Sequence, residues 1–143
     1  MNGNAELLNF IYQNTQMGVD TLDQLIPMVG DQEFKTHLEA QYREYEAIHH
    51  KAEDMLHRNG YDEKGLSAFE KIRTYLMINF QTLTDTSASH IAEMLILGSN
   101  MGVVDAIKKV RQYGGEVEPD ITDMMERLKS FEENNVERLK TYL

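Results

Sequence analysis

The chain has 143 residues and a formal net charge of −10, from 24 acidic against 14 basic side chains, with neither cysteine nor tryptophan. Lack of cysteine excludes disulfides, thiolate catalysis and zinc–thiolate sites, and the negative excess opposes contact with phosphate backbones and anionic lipid, so neither nucleic acid nor a membrane is expected as a partner. The length suits one domain over 1–143 that buries ~70% of its unfolded surface, and the opening MNGNAELLNF has no basic stretch leading into an apolar run, so a cytoplasmic location is expected.

Only two prolines and nine glycines interrupt a chain rich in Leu, Met, Ala, Glu and Lys, which favours helix throughout. The first helix is predicted from about Ala5 to Val29, with Leu8, Ile11, Thr15, Val19, Leu22 and Ile26 recurring on one face. Pro27 removes a backbone donor near its end and Gly30 stops it. Asp31 is the predicted N-cap of a second helix reaching about Arg58, with Phe34, Leu38, Tyr42, Tyr45, Ile48, Ala52 and Leu56 inward. Asn59-Gly60 ends that helix, and the short connection makes the two antiparallel neighbours.

A segment from about Ser67 to Leu83 opens on a capping box, Ser67 with Glu70, and carries Ile72, Leu76, Phe80 and Leu83 on one side. It reads as a helical crossover, or as the first part of one long kinked helix. Thr84-Asp85-Thr86-Ser87 offers the cap residues that would separate it from the next helix. That helix, Thr86 to Tyr113, is apolar on nearly every side and is predicted to be the one the others pack around. Gly114-Gly115 breaks it. Pro119 and Asp120 start the last helix, where Ile121, Met125, Leu128, Glu132, Asn135, Leu139 and Tyr142 share a face. Two of those inward residues are polar.

Two stretches echo one another. Gln16-Met17-Gly18-Val19-Asp20 corresponds to Asn100-Met101-Gly102-Val103-Val104-Asp105, and Tyr45-Glu46-Ala47-Ile48-His49 to Phe131-Glu132-Glu133-Asn134-Asn135, with separations of 29 residues from Met17 to Glu46 and 31 from Met101 to Glu132. A duplicated helical hairpin, set against coincidence, would give an all-α four-helix bundle with pseudo-twofold symmetry. In this the chain resembles the ferritin-like superfamily, and the run SHIAEMLILGSNMG resembles that of small bacterial proteins of ferritin-like fold. The resemblance implies a fold more firmly than an activity.

Ferritin-like di-metal centres of iron or manganese draw one Glu from each of two helices and Glu-x-x-His from the other two, because positions i and i+3 point together into the bundle. Glu46-x-x-His49 fits that pattern. Glu132-x-x-Asn135 is a degenerate counterpart with an amide for the imidazole, a poor ligand for iron. The first helix has no inward carboxylate, and the third offers His90-x-x-Glu93 away from the expected level. Candidate metal ligands are therefore Glu46, His49, His90, Glu93 and Glu132. Each has a structural alternative: Glu46 and His49 as a solvated flank pair, Glu132 and Asn135 as a buried contact fixing register, and His90 and Glu93 as partners of neighbouring hydroxyls. His37, His50 and His57 are expected on the surface, and the methionines as core filler.

Ala88, Ala92, Ser99, Gly102 and Ala106 form a stripe of small residues that marks a close helix contact, within the bundle or across a homodimer. No phosphate loop, nucleophile elbow or His-Glu-x-x-His occurs. The sequence therefore favours a non-enzymatic scaffold or interaction module over a metal-binding protein or oxidoreductase with an altered centre. A third reading is a small-molecule site around Tyr42, Tyr45, Glu132 and Asn135.

Overall fold

The computed structural model describes residues 2–62, 76–77 and 83–143, and its regular structure is entirely helical. Among the described residues there are four long helices: α1 (Gly3–Leu25), α2 (Gln32–Arg58), α3 (Ala88–Tyr113) and α4 (Pro119–Leu139). Short 3₁₀ turns occupy Ile26–Met28, Gly114–Glu116 and Lys140–Tyr142.

The helix ends follow from capping chemistry. Asn2 starts α1 by accepting from the Asn4 and Ala5 N–H groups at 3.0 and 3.4 Å, so the helix begins earlier than its apolar pattern. It also ends earlier than predicted, because Pro27 turns the chain into a 3₁₀ turn closed by Val29 N–H to Ile26 O. The Asp31 carboxylate caps α2 through Phe34 N–H at 2.8 Å. Gly60, at φ +70°, ends α2 in the left-handed conformation, and Tyr61 N–H reaches back to Leu56 O at 2.9 Å. Ser87 Oγ accepts from His90 N–H at 3.3 Å at the start of α3, and residues 83–87 are not helical. So α3 is a new helix and no continuation of what precedes it. The remainder of the predicted crossover, including Ser67, Glu70, Ile72 and Phe80, lies outside the described residues. Leu76 is buried, and Leu83 is half-buried against the core.

α1 pairs with α2 and α3 with α4; α1 also meets both α3 and α4, and α2 meets α4. By burial among the described residues α1 lies deeper than α3, contrary to the hydropathy pattern. Twelve of the 23 residues of α1 are buried, against eight of 26 in α3. Among the buried residues of α1 are Asn9, Gln13, Asn14 and Thr15. Asn9 is accommodated by donating to the Ala5 and Asp62 carbonyls, both at 3.1 Å. Mean hydropathy reports composition, whereas burial depends on how many neighbours surround a helix. The outer face of α3 leaves Leu97, Val104 and Ile107 exposed.

The small-residue stripe meets α1. Ala92, Gly102 and Ala106 are buried, and a Cβ on Gly102 would stand 3.1 Å from Asn14 Nδ2. By length and a mean hydropathy of 1.2, α3 is the single helix among the described residues that could cross a membrane; a third of that window is buried here, as the inner face of a packed helix.

Candidate functional site

The five candidate ligands do not share one place. Glu46 is half-buried in an open surface groove with Asp23, Glu39, Tyr42 and Arg43. His90 lies in the first turn of α3, and Glu93 one turn further on is exposed. His49 is buried between α2 and α1, and Glu132 is buried on α4. Among the described residues no three His, Asp or Glu side chains are grouped to hold a metal ion. Among the described residues the five candidates therefore do not come together as a di-metal centre.

His49 is occupied by α1. Its Nδ1 lies 3.0 Å from Thr15 Oγ1 and 3.2 Å from Tyr12 O, and its ring stacks on Tyr12 with centroids 4.5 Å apart. The Thr15 hydroxyl donates to Ile11 O at 2.7 Å, and Tyr12 O can only accept, so Nδ1 carries the imidazole proton. Burial pulls the pKa of His49 down from 6.5, against the upward pull of its hydrogen bond to the Tyr12 backbone. A neutral histidine that ties two helices together is the result.

Glu132 occupies a different environment. Its Oε2 accepts a 2.8 Å hydrogen bond from the Tyr45 hydroxyl on α2, and Ser99 on α3 lies close enough to both groups to pull their pKa values down. Burial pushes the Glu132 carboxyl up from 4.5 to about 7, although the Tyr45 and Ser99 hydrogen bonds pull it down. Burial, followed by the charge of Glu132, holds the Tyr45 phenol well above its usual range. Asn135, one turn along α4, is also buried beside Tyr45, whose phenol pKa it pulls down, and among the described residues its Nδ2 has no partner at hydrogen-bond geometry. Of the four residues of the third reading, Tyr45, Glu132 and Asn135 do come together. Tyr42 lies outside, in the groove with Glu46.

Glycine positions Tyr45. A Cβ on Gly18 would stand 2.6 Å from Cδ1 and Cε1 of the Tyr45 ring, so α1 must lack a side chain at that point. Phe131 closes the other side, edge-on at 4.8 Å. Tyr45 and Phe131 occupy corresponding places in the internal echo and touch each other. The two echoed glycines differ: Gly18 makes room within its own hairpin, Gly102 for Asn14 of the other.

Beside Glu132 is a cavity of about 40 Å³. Asn14, Thr21, Gln41, Tyr45, Ser99 and Glu132 supply its polar wall, and Met17, Leu22, Leu76 and Leu95 its apolar wall. Gln41 is oriented by His37, with Nε2 to Nε2 at 2.9 Å, and His37 is half-buried where the sequence suggested surface. Asn14, Thr21 and Gln41 were not legible as site residues. The available signal was a stripe of small and polar residues at three- and four-residue spacing, Asn14, Gly18 and Thr21, about 100° around α1 from its predicted face. No protein-family model matches the chain, and no curated protein or solved structure gives a significant match.

Proposed function

We propose that the chain acts by binding, as a ferritin-like scaffold of two helical hairpins that holds a small polar molecule in the cavity beside Glu132. The observation that carries this reading is a buried carboxyl facing a cavity with no basic residue among its described lining. Burying such a group is costly unless it is paired or used, and a well-packed apolar residue would serve stability better. The edge-on contact of Tyr45 with Phe131 supports the pseudo-twofold arrangement that a duplicated hairpin implies.

The test is a fragment screen on the purified full chain by amide NMR. Saturable shifts confined to Gly18, Gly98, Ser99 and Gly102 are the expected result. A screen in which no fragment moves these amides overturns the reading. The scaffold is also expected to form a homodimer through the exposed Leu97, Val104 and Ile107 of α3. Light scattering should then give twice the 16.5 kDa chain mass, reduced to one chain by Leu97→Asp with Val104→Asp.

A further inference from the structure

We infer that the ligand of this cavity is a small organic cation, a short alkylammonium whose charged head meets Glu132 while its carbons lie against Met17, Leu22, Leu76 and Leu95. The inference rests on the binding reading above and adds the chemical class.

Charge selects the class. The polar wall consists of one carboxyl, three hydroxyls and two side-chain amides, and no Lys, Arg or His stands among the described lining residues. An anion would face the Glu132 carboxyl with no compensating cation, whereas an ammonium supplies the charge that Glu132 lacks. An ammonium has three donors, and Glu132, the hydroxyls and the amide oxygens of Asn14 and Gln41 are the acceptors that could take them. The apolar wall argues for carbon on the ligand and against a bare metal ion, which would need further oxygen ligands in place of Met17 and the three leucines. Size sets a limit: about 40 Å³ takes roughly three water-sized groups at ~10–15 Å³ each, so an ammonium head and two carbons fit inside and a third carbon reaches the mouth, where the cavity opens to solvent.

The groups facing Glu132 leave it as the titrating partner. On α2 Tyr45 is held in its neutral form by burial, while His49 is engaged with α1 and His37 touches the site only through Gln41. The lining residues from α1 are Asn14, Met17, Gly18, Thr21 and Leu22, and those from α3 are Leu95, Gly98, Ser99 and Gly102, none of them ionisable. Cation binding therefore depends on the ionised carboxyl, and releases a proton where that carboxyl is still protonated.

The experiment titrates the full chain with propylammonium, 1-propanol, propionate and magnesium chloride, following the Gly18, Ser99 and Gly102 amides by NMR at pH 8 and pH 6. Propylammonium is expected to bind at least tenfold more tightly than 1-propanol or propionate at pH 8. Its affinity should drop about tenfold at pH 6, because the carboxyl titrates at about 7. Glu132→Gln should abolish both the preference and the pH dependence while 1-propanol binding persists. Equal or tighter binding of 1-propanol or propionate overturns the cation assignment and leaves the binding reading intact. Preferential binding of magnesium overturns it in favour of a hard metal ion. Silence from all four probes, when the fragment screen also fails, removes both.

Discussion

Replacing Glu132 by Gln should make the protein more stable, and by an amount that grows with pH. The carboxyl is buried, and its pKa in the folded chain is raised from 4.5 to about 7. Between those values the folded state holds a proton that the unfolded state has released. Stability is therefore greatest below 4.5 and falls as pH rises through the window to about 7. The loss is ~1 kcal/mol at pH 5 and ~3 kcal/mol by pH 8, at 1.36 kcal/mol per unit of displacement. Gln has nearly the same shape, and its amide oxygen can still accept from Tyr45, so pH-independent differences cancel when the variant is compared with the parent across pH. Urea unfolding at pH 5, 6, 7 and 8 measures this, since urea leaves electrostatics unscreened. The stability of Glu132→Gln relative to the parent should climb by ~2–3 kcal/mol over that range. A difference independent of pH would show that Glu132 titrates as an ordinary exposed carboxyl and would remove the basis of the site.

Tyr45→Phe deletes the donor that lowers the Glu132 pKa, so the carboxyl should titrate above about 7 by carbon-detected NMR; a downward move would refute the 2.8 Å contact as its stabiliser. Gly18→Ala gains ~1 kcal/mol of helix propensity but drives a Cβ into the Tyr45 ring, for a net loss of ~1–2 kcal/mol. Gly98→Ala, whose Cβ would stand 3.5 Å from Leu76, should be neutral or stabilising by urea unfolding, and equal outcomes for the two would contradict the packing described. His49 works in the opposite direction to Glu132. Its pKa is lowered in the folded chain, so the unfolded state takes up more protons below 6.5 and stability falls on acidification. His49→Gln should lose less stability than the parent between pH 7 and pH 5, and an equal loss would place the titration elsewhere.

Much of the helical layout is written locally. Asp31, Asn59-Gly60, Ser87, Gly114-Gly115 and Pro119 each act through hydrogen bonds or φ restrictions within a few residues, and the ends of α2 and α3 and the start of α4 lie at or beside them. The inward face of α4 was equally legible. Ile121, Met125, Leu128, Glu132, Asn135 and Leu139 are all buried and Tyr142 is half-buried, because a helix packed along one side has a face that its own periodicity reveals. The two polar members of that face were thereby marked as candidates.

Tertiary structure decided the rest. Tyr45 and Glu46 are adjacent in sequence, and a helical rotation of ~100° separates them; packing on Gly18 sends Tyr45 to the core and leaves Glu46 at the surface groove. Hydropathy ranked α3 above α1 as the central helix, but α1 meets three other helices and buries Asn9, Gln13, Asn14 and Thr15 among them. Whether a polar side chain lies inside depends on which partners the fold brings to it, and a one-dimensional pattern holds no information about partners distant in the chain. Helix ends and apolar faces were therefore set by sequence alone, through interactions that span only a few residues. The cavity, its acidic wall and the raised Glu132 carboxyl exist only where α1, α2, α3 and α4 meet, since burial and charge there are sums over residues far apart along the chain.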